Sequence, residues 1–194
     1  NSNLVTKVLP TPQRDDVFSI DQVNQMGREQ FVAEFGGLFQ GPPWIAEQAY
    51  DARPFEDVYA LRRACHDVMF EASSDQQLEL IRAYPDIGSV FRGDRSASMM
   101  SVKDQAFAGL DRLDTDEHHS LGDLTSAYRT KFGFPLIIAV RENTKETIVR
   151  SGNARLNNSP AAEQATALVE IAKIVNLRLL DLVEEPDRVT AEPA

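Results

Sequence analysis

Apolar residues recur every three or four positions through most of the chain, which is the spacing of one face of an α-helix. Polar and charged residues fill the positions between them, so these segments predict amphipathic helices packed around a core. The last and longest helix is predicted to begin at Ser159-Pro160, because proline suits a first helical turn. The two clearest apolar faces consist of Phe55, Val58, Leu61, Cys65, Val68 and Met69, and of Leu168, Ile171, Ala172, Val175 and Leu179.

Capping signals divide this pattern into separate helices. A serine followed three residues later by glutamine is typical of a capping box, in which each side chain bonds the other residue's backbone amide. Gly133 is placed to end a helix in the left-handed conformation. Capping boxes are predicted at Ser19 with Gln22 and at Ser74 with Gln77, and other helix starts at Pro54, Ser101 and Thr115, with Phe107 and Leu110 facing inward after Ser101.

One segment breaks the helical pattern. Residues 134–140 (Phe-Pro-Leu-Ile-Ile-Ala-Val) are apolar, rich in β-branched residues and too short for a typical helix. We expect a lone extended segment buried between helices, and one such segment does not make a sheet. The predicted class is therefore all-α: a single multi-helix domain at 18–184, with a flexible N-terminal arm at 1–17 and a flexible acidic tail at 185–194.

Composition excludes several classes of partner. Thirty acidic against twenty basic residues give a formal net charge of −10, which argues against nucleic acid and against an anionic membrane surface. A small anionic substrate needs only a local basic group and stays possible. The single cysteine, Cys65, rules out a disulfide within the chain and fits a reducing compartment, so we expect a cytoplasmic protein.

The titratable residues predict no metal site. His66, His118 and His119 are the three histidines, and no two have the i, i+4 spacing that places two ligands on one helix face. We interpret His118-His119 as a solvated surface pair and His66 as a packed or surface side chain. Cys65 and His66 are adjacent, and neighbours on a helix point in different directions, so adjacency does not predict a nucleophile and base.

Four polar or rigid segments are unusual for pure scaffold. Each also has a structural interpretation: Trp44 as a core anchor, Tyr84-Pro85 as a helix stop, and Ser101 with Asp104 as a capping box. The segments are Gly41-Pro-Pro-Trp44, Tyr84-Pro-Asp-Ile-Gly88, Ser101-Val-Lys-Asp104-Gln105, and Lys131-Phe-Gly-Phe-Pro-Leu-Ile-Ile138.

Taken in order, these segments resemble the 2-oxo-4-hydroxy-4-carboxy-5-ureidoimidazoline (OHCU) decarboxylases of urate breakdown. The resemblance runs from about residue 19 to 183, and the Lys-Phe-Gly-Phe-Pro stretch is its most specific part. The matching pieces are Phe35-Gly-Gly-Leu-Phe39, Pro43-Trp44, Arg53-Pro-Phe55, Pro85-Asp86, Ser101 with Gln105, Ala108-Gly-Leu110, Tyr128 with Lys131-Phe-Gly-Phe-Pro135, Arg155 with Asn158, and Glu170, Ile174, Arg178 and Leu179.

The resemblance implies an all-α fold, a homodimer, and decarboxylation of a urate-derived ring to (S)-allantoin without a metal or organic cofactor. It also implies a site. Tyr84, Asp104 and Arg178 are the catalytic candidates: Arg178 for the carboxylate or the developing negative charge, Asp104 for ring N–H groups, and Tyr84 as proton donor or orienting hydroxyl. The substrate-binding candidates are Pro85, Ser101 and Gln105, with backbone amides around Phe134, Leu136, Ile137 and Ile138.

Two positions depart from the family pattern. The family has His where this chain has Tyr84, and Glu where it has Asp104; Gln40 also stands where Glu is frequent. Tyrosine, with a reference pKa near about 10, donates a proton but is a poor base at neutrality. Two hypotheses follow: an enzyme acting on OHCU or a related small urea- or amide-containing ring, and a non-catalytic ligand-binding or interaction protein that kept the scaffold.

Overall fold

The all-α prediction is confirmed. The computed structural model describes residues 17–92 and 98–186, so most of the predicted N-terminal arm and acidic tail lies outside the described residues. Within the described part the chain forms nine α-helices: α1 (Ile20–Gln25), α2 (Arg28–Phe35), α3 (Trp44–Ala49), α4 (Val58–Glu71), α5 (Ser74–Arg82), α6 (Met99–Phe107), α7 (Thr115–Phe132), α8 (Lys145–Arg155) and α9 (Pro160–Leu182).

The long helix α9 organises the packing. It contacts α4 and α5, while α4 also packs on α3, and α7 pairs with α8. One continuous core joins these helices, and the predicted inward positions Leu61, Cys65, Ile171, Val175 and Leu179 are all within it. None of the described helices combines the length and the apolar character that crossing a membrane requires.

The start of the helix after α4 differs from prediction by one residue. The capping box at Ser19 and Gln22 is confirmed, but the second box pairs Ser73 with Gln76 rather than Ser74 with Gln77. The sequence Ser-Ser-Asp-Gln-Gln offers both registers. Ser73 has the extended backbone that an N-cap needs, whereas Ser74 is already helical.

Two other predicted starts are wrong. Helix α4 begins after Asp57, whose carboxylate accepts a hydrogen bond from the Ala60 amide, so Pro54 lies before the helix. Helix α6 begins after Ser98, and Ser101 is already in its first turn. Ser101 and Asp104 therefore do not form a capping box, and both side chains are available for other contacts.

Phe107 is the main error in the predicted core. Its side chain is 73% exposed, whereas Leu110, predicted to share its face, is buried. Helix α6 ends at Phe107, and Gly109 turns the chain in the left-handed region (φ 81°) before a short 3₁₀ turn that carries Leu110. The helical periodicity that united the two residues is thus interrupted between them. Gly133 ends α7 with φ 76°, as predicted.

The segment 134–140 is buried along its whole length and pairs with no strand in the described part of the chain. Side chains from two helices hold its backbone: Arg155 donates to the Ile137 carbonyl (2.6 Å), and Glu170 accepts from the Ala139 amide (3.3 Å). Val140 departs from the extended path and begins a 3₁₀ turn. Among the described residues, β pairing is limited to one parallel bridge between Phe18 and Val183.

Candidate active site

A cavity opens where α6, α9, the corner after α5 and the 134–140 segment meet. The space inside it that the centre of a water molecule can reach is about 40 Å³. Nine of the ten predicted site residues line it: Tyr84, Pro85, Ser101, Asp104, Gln105, Leu136, Ile137, Ile138 and Arg178. The tenth, Phe134, does not; its buried ring packs against Tyr128 and Phe132. Phe134 comes directly after the turn at Gly133, so its side chain still belongs to the core beneath the cavity.

Arg178 and Asp104 form the charged centre of the cavity. The Arg178 side chain is 4% exposed, and its Nε donates to Asp104 Oδ2 at 2.8 Å. The remaining nitrogens donate to the Leu38 carbonyl (3.1 Å) and to Ser101 Oγ (3.3 Å). A buried guanidinium requires such partners, because an isolated charge in the interior is costly. Asp104, on the exposed side of this pair, is held in a fixed orientation.

Tyr84 faces the same cavity from the corner after α5. The residue is 5% exposed, and its hydroxyl has no hydrogen-bond partner among the described residues. Burial raises the pKa of Tyr84 to about 12, against the opposing effects of Arg178 and the Gln40 backbone, so the hydroxyl is protonated at neutral pH. A buried, unpartnered O–H donor at a cavity wall is suited to a ligand that brings an acceptor.

Gln105 and Ser101 support the walls of the cavity. Gln105 Oε1 accepts from the Gly88 amide at 2.8 Å and so fixes the corner that carries Tyr84. Gly88 itself has φ 80°, a conformation that few other residues adopt without strain. Ser101 Oγ links Arg178 to Gln40 Oε1 (3.5 Å).

The extended segment supplies both apolar surface and backbone donors. Leu136, Ile137 and Ile138 line the cavity, and their N–H groups form no hydrogen bonds with other described residues. Unpaired amides beside an apolar wall can bind carbonyl oxygens of a ligand in a low-dielectric setting, where such bonds are stronger than in water.

Sequence patterns did not identify Arg141 as a site residue. It lines the cavity, its Nη1 lies 3.8 Å from Asp104 Oδ1, and it binds Asp181 through two hydrogen bonds of 2.7 and 3.2 Å. The available signal was its position: Arg141 is the first charged residue after the apolar run 134–140. Asp104 therefore lies between two guanidinium groups.

A second buried ionic network lies behind the segment. Glu163 is fully buried and accepts hydrogen bonds from Arg155 (2.8 Å), Asn158 (2.8 Å) and the Tyr128 hydroxyl. Although burial alone raises the pKa of Glu163, these hydrogen bonds lower it overall. Arg155 in turn holds the Ile137 carbonyl. The network therefore fixes the position of the segment whose other side faces the cavity.

The histidines and the cysteine do not line the described cavity. Cys65 is buried, which raises the pKa of its thiol to about 12 and makes it a poor nucleophile. Burial likewise lowers the pKa of His66, on α4. Across residues 17–92 and 98–186, no three His, Cys, Asp or Glu side chains are grouped as a metal site requires.

Comparisons with known proteins decide the family. The family model for OHCU decarboxylase matches residues 24–180. The chain belongs to the OHCU decarboxylase family. A relative from Halalkalicoccus jeotgali, a 2-oxo-4-hydroxy-4-carboxy-5-ureidoimidazoline decarboxylase, is 36% identical over 169 residues, which are 87% of this chain and 94% of the relative.

Two crystal structures share the fold. An (S)-allantoin synthase superposes with a TM-score of 0.68 at 25% identity, over 84% of this chain and 53% of the other. An OHCU decarboxylase in the presence of (S)-allantoin superposes with a TM-score of 0.60 at 22% identity, over 80% of this chain and 96% of the other. Family membership and the shared fold place this chain among urate-degradation proteins, and its relatives are carboxy-lyases.

Proposed function

We propose that this protein decarboxylates OHCU, releasing CO2 and giving (S)-allantoin, in the cavity between Tyr84, Asp104 and Arg178. The observation that carries the proposal is that Tyr84, whose buried hydroxyl donates no hydrogen bond to the described residues, lines the same small cavity as a buried arginine–aspartate pair. Membership of the family supports the reaction type. A cytoplasmic homodimer that needs no metal or organic cofactor belongs to the same proposal.

The residues divide the reaction between them. Asp104 accepts hydrogen bonds from ring N–H groups, and amides of the 136–138 segment hold ring carbonyl oxygens. When the carbon–carboxyl bond breaks, CO2 leaves and the electron pair stays on the ring. Arg178, already oriented by Asp104, stabilises that charge electrostatically. The apolar walls strengthen this interaction by excluding water.

Tyr84 then supplies the proton. A hydroxyl with a pKa of about 12 is a weak acid in water, but it can protonate a carbanion-like ring, which is far more basic. The resulting tyrosinate would face Arg178, whose charge favours that form. Because Tyr84 lies on one wall of the cavity, the proton reaches one face of the ring, and a single enantiomer of allantoin results.

The decisive experiment incubates the protein with freshly generated urate-oxidation product and follows optical activity. Spontaneous decay gives a racemate, so enzyme action appears as optical activity, and the expected product is (S)-allantoin. The variant Arg178→Met serves as the inactive comparison, and heat-denatured protein gives the background. Racemic product at the uncatalysed rate would contradict the proposal.

A non-catalytic binding protein is the second candidate. Its specific support is that the described cavity lining contains no histidine, so no side chain there ordinarily exchanges a proton near neutrality. On this hypothesis calorimetry detects binding of (S)-allantoin to the protein. The urate-oxidation product then decays at the uncatalysed rate and gives racemic allantoin. The two measurements together distinguish the enzyme from the binder.

A further inference from the structure

The two arginines of the cavity differ in their hydrogen-bond acceptors and in their exposure. Arg178 donates from Nε, Nη1 and Nη2 to protein acceptors and is 4% exposed. Arg141 is 22% exposed, and its two close hydrogen bonds go to Asp181, whose side chain is 57% exposed. We name Arg141 and Asp181 the rim pair. An ion pair with one partner so exposed contributes little stability, so exchanging Asp181 for another anion is inexpensive.

The charges around Asp104 favour an additional anion. Within the described lining, Arg178 and Arg141 bring two positive charges and Asp104 brings one negative charge. The carboxylate of Asp181, which lies outside the lining, neutralises the remaining positive charge. Arginine presents a planar fork of N–H groups that matches the two oxygens of a carboxylate, and Asp181 already uses that geometry.

We propose that Arg141 binds the carboxylate of the substrate at the cavity entrance, with the substrate carboxylate replacing Asp181 in the rim pair. The inference rests on the proposed function in using the same cavity, and it adds a binding role for Arg141: this residue favours small planar rings that bear a carboxylate over neutral rings of the same shape. The exposed ring of Phe107, whose centroid lies 5.7 Å from Arg141 Cζ, covers one side of the guanidinium and keeps its fork directed along the rim.

This contact assists binding rather than the bond-breaking step. The carboxylate becomes neutral CO2 as the bond breaks, so its attraction to Arg141 weakens towards the transition state. Such an interaction lowers KM without raising kcat. Arg141→Gln should therefore raise KM for OHCU about tenfold, the effect of losing one charge-assisted contact, and should not lower kcat.

A binding experiment tests the proposal without requiring turnover. The probes are orotate, a stable ring with one carboxylate, and uracil, the same ring without it, with affinities measured by calorimetry. The wild-type protein should bind orotate more tightly than uracil. Arg141→Gln should weaken the affinity for orotate about tenfold and leave the affinity for uracil unchanged. Asp181→Asn should raise the affinity for orotate about two- to fivefold, because it removes the competing carboxylate.

Opposite effects at the two members of the rim pair are the signature of exchange. The control Asp51→Asn removes the acid of another exposed pair, with Arg28, and should change neither affinity. A purely structural rim pair predicts that both variants shift binding in the same direction. Three results would overturn the proposal. They are a shift in the same direction for both variants, equal effects of Arg141→Gln on the affinities for orotate and uracil, and no preference of the wild type for orotate.

The outcome is separable from that of the proposed function. If the wild type fails to form optically active allantoin but binds orotate through Arg141, decarboxylation is wrong and the carboxylate site stands. If it forms (S)-allantoin while Arg141→Gln changes neither KM nor orotate affinity, the reaction stands and the carboxylate site is wrong.

Discussion

Tyr84 is buried at a position where its hydroxyl donates no hydrogen bond to the described residues. A buried hydroxyl that loses its water partners without a replacement costs roughly 1–3 kcal/mol. Phenylalanine would fill the same space without that cost. On the proposed function, the partner of this hydroxyl arrives with the ligand.

Removing that hydroxyl should separate stability from activity. Tyr84→Phe is expected to leave the free energy of unfolding unchanged or to raise it by up to about 1 kcal/mol, because an unsatisfied polar group disappears. Formation of (S)-allantoin should fall by roughly 10²–10⁴, the usual contribution of a positioned acid. Urea denaturation and polarimetry give the two values. Tyr59→Phe, away from the cavity, is the matched control; equal activity of the two variants would exclude Tyr84 as the proton donor.

The family pattern provides a second test at Tyr84. Tyr84→His combined with Asp104→Glu places in this cavity the histidine–glutamate pair that the family resemblance implies at these two positions, and we expect decarboxylation to rise above that of the wild type. A histidine with a pKa near about 6.5 exchanges protons at neutrality far faster than a buried phenol. Polarimetry measures the rate, and each single variant shows whether the two changes must occur together. A loss of decarboxylation in the double variant would mean that the cavity uses Tyr84 and Asp104 for this reaction and that the histidine–glutamate pair does not replace them.

Sequence predicted which residues meet at the cavity better than it predicted their contacts. Tyr84, Asp104 and Arg178, separated by up to 94 positions, were identified through motif order, and they do line one cavity. Arg141 was not predicted because its place in the cavity depends on the three-dimensional path of the 134–140 segment that precedes it. Phe134 was included because a motif assigns a whole stretch, whereas the left-handed turn at Gly133 decides which of its side chains reach the cavity.

At the scale of elements, the 134–140 segment depends on the network of Glu163, Arg155 and Tyr128 behind it. Helices α7, α8 and α9 each contribute one of these residues. Among the described residues no sheet supports the segment, so these side chains hold its backbone in place of neighbouring strands.

Glu163→Gln should destabilise the fold by about 3 kcal/mol at pH 7, because it leaves the Arg155 charge buried without its counter-ion. The hydrogen bonds from Arg155, Tyr128 and Asn158 outweigh burial and depress the folded-state pKa of Glu163 below its usual 4.5. Its stabilisation is therefore present above that value and is lost as pH falls through the folded-state pKa. Urea unfolding between pH 7 and 3 should show the difference from wild type shrinking with acid. The exposed Glu47→Gln is the control, and a pH-independent difference would contradict the assignment.

Gly152 joins α8 to its neighbours by close approach. A Cβ atom there would lie 2.6 Å from Leu124 Cδ2 and 2.9 Å from Leu136 Cδ2. Gly152→Ala should therefore lower the free energy of unfolding by about 1–3 kcal/mol through overpacking. Gly37→Ala, which meets nothing within 4 Å, is the comparison. Thermal or urea unfolding of both variants measures the effect, and equal stability would mean that the two leucines move aside freely.

The buried faces of the helices could be predicted from sequence where hydrophobic periodicity alone determines them. The predicted faces of α4 and α9 are mostly buried, because each helix is long enough for the pattern to repeat several times; Val68 and Ala172 at their margins are only partly buried. Helix starts were less certain where two serines compete, as at Ser73 and Ser74. Phe107 and Leu110 show the remaining limit, since a three-residue spacing across a helix end no longer implies a shared face.

For the whole molecule, the chemistry proposed needs no bound ion. Three scattered histidines and one buried cysteine provide no recognisable set of metal ligands. We expect full activity, and full binding of (S)-allantoin, after exhaustive chelation and dialysis. Elemental analysis before and after treatment, beside polarimetry, checks this. Stoichiometric metal that survives dialysis, and whose removal abolishes activity, would refute it.

The bridge between Phe18 and Val183 has a consequence for how the chain can be cut and joined. Phe18 N–H donates to the Leu182 carbonyl at 2.8 Å, and Glu184 N–H donates to the Phe18 carbonyl at 2.9 Å, so the first and last described elements lie side by side. A short peptide could connect them without disturbing α1 or α9. The fold is thereby suited to circular permutation, with new ends in an exposed loop away from the cavity, and to insertion as a module into a loop of another protein.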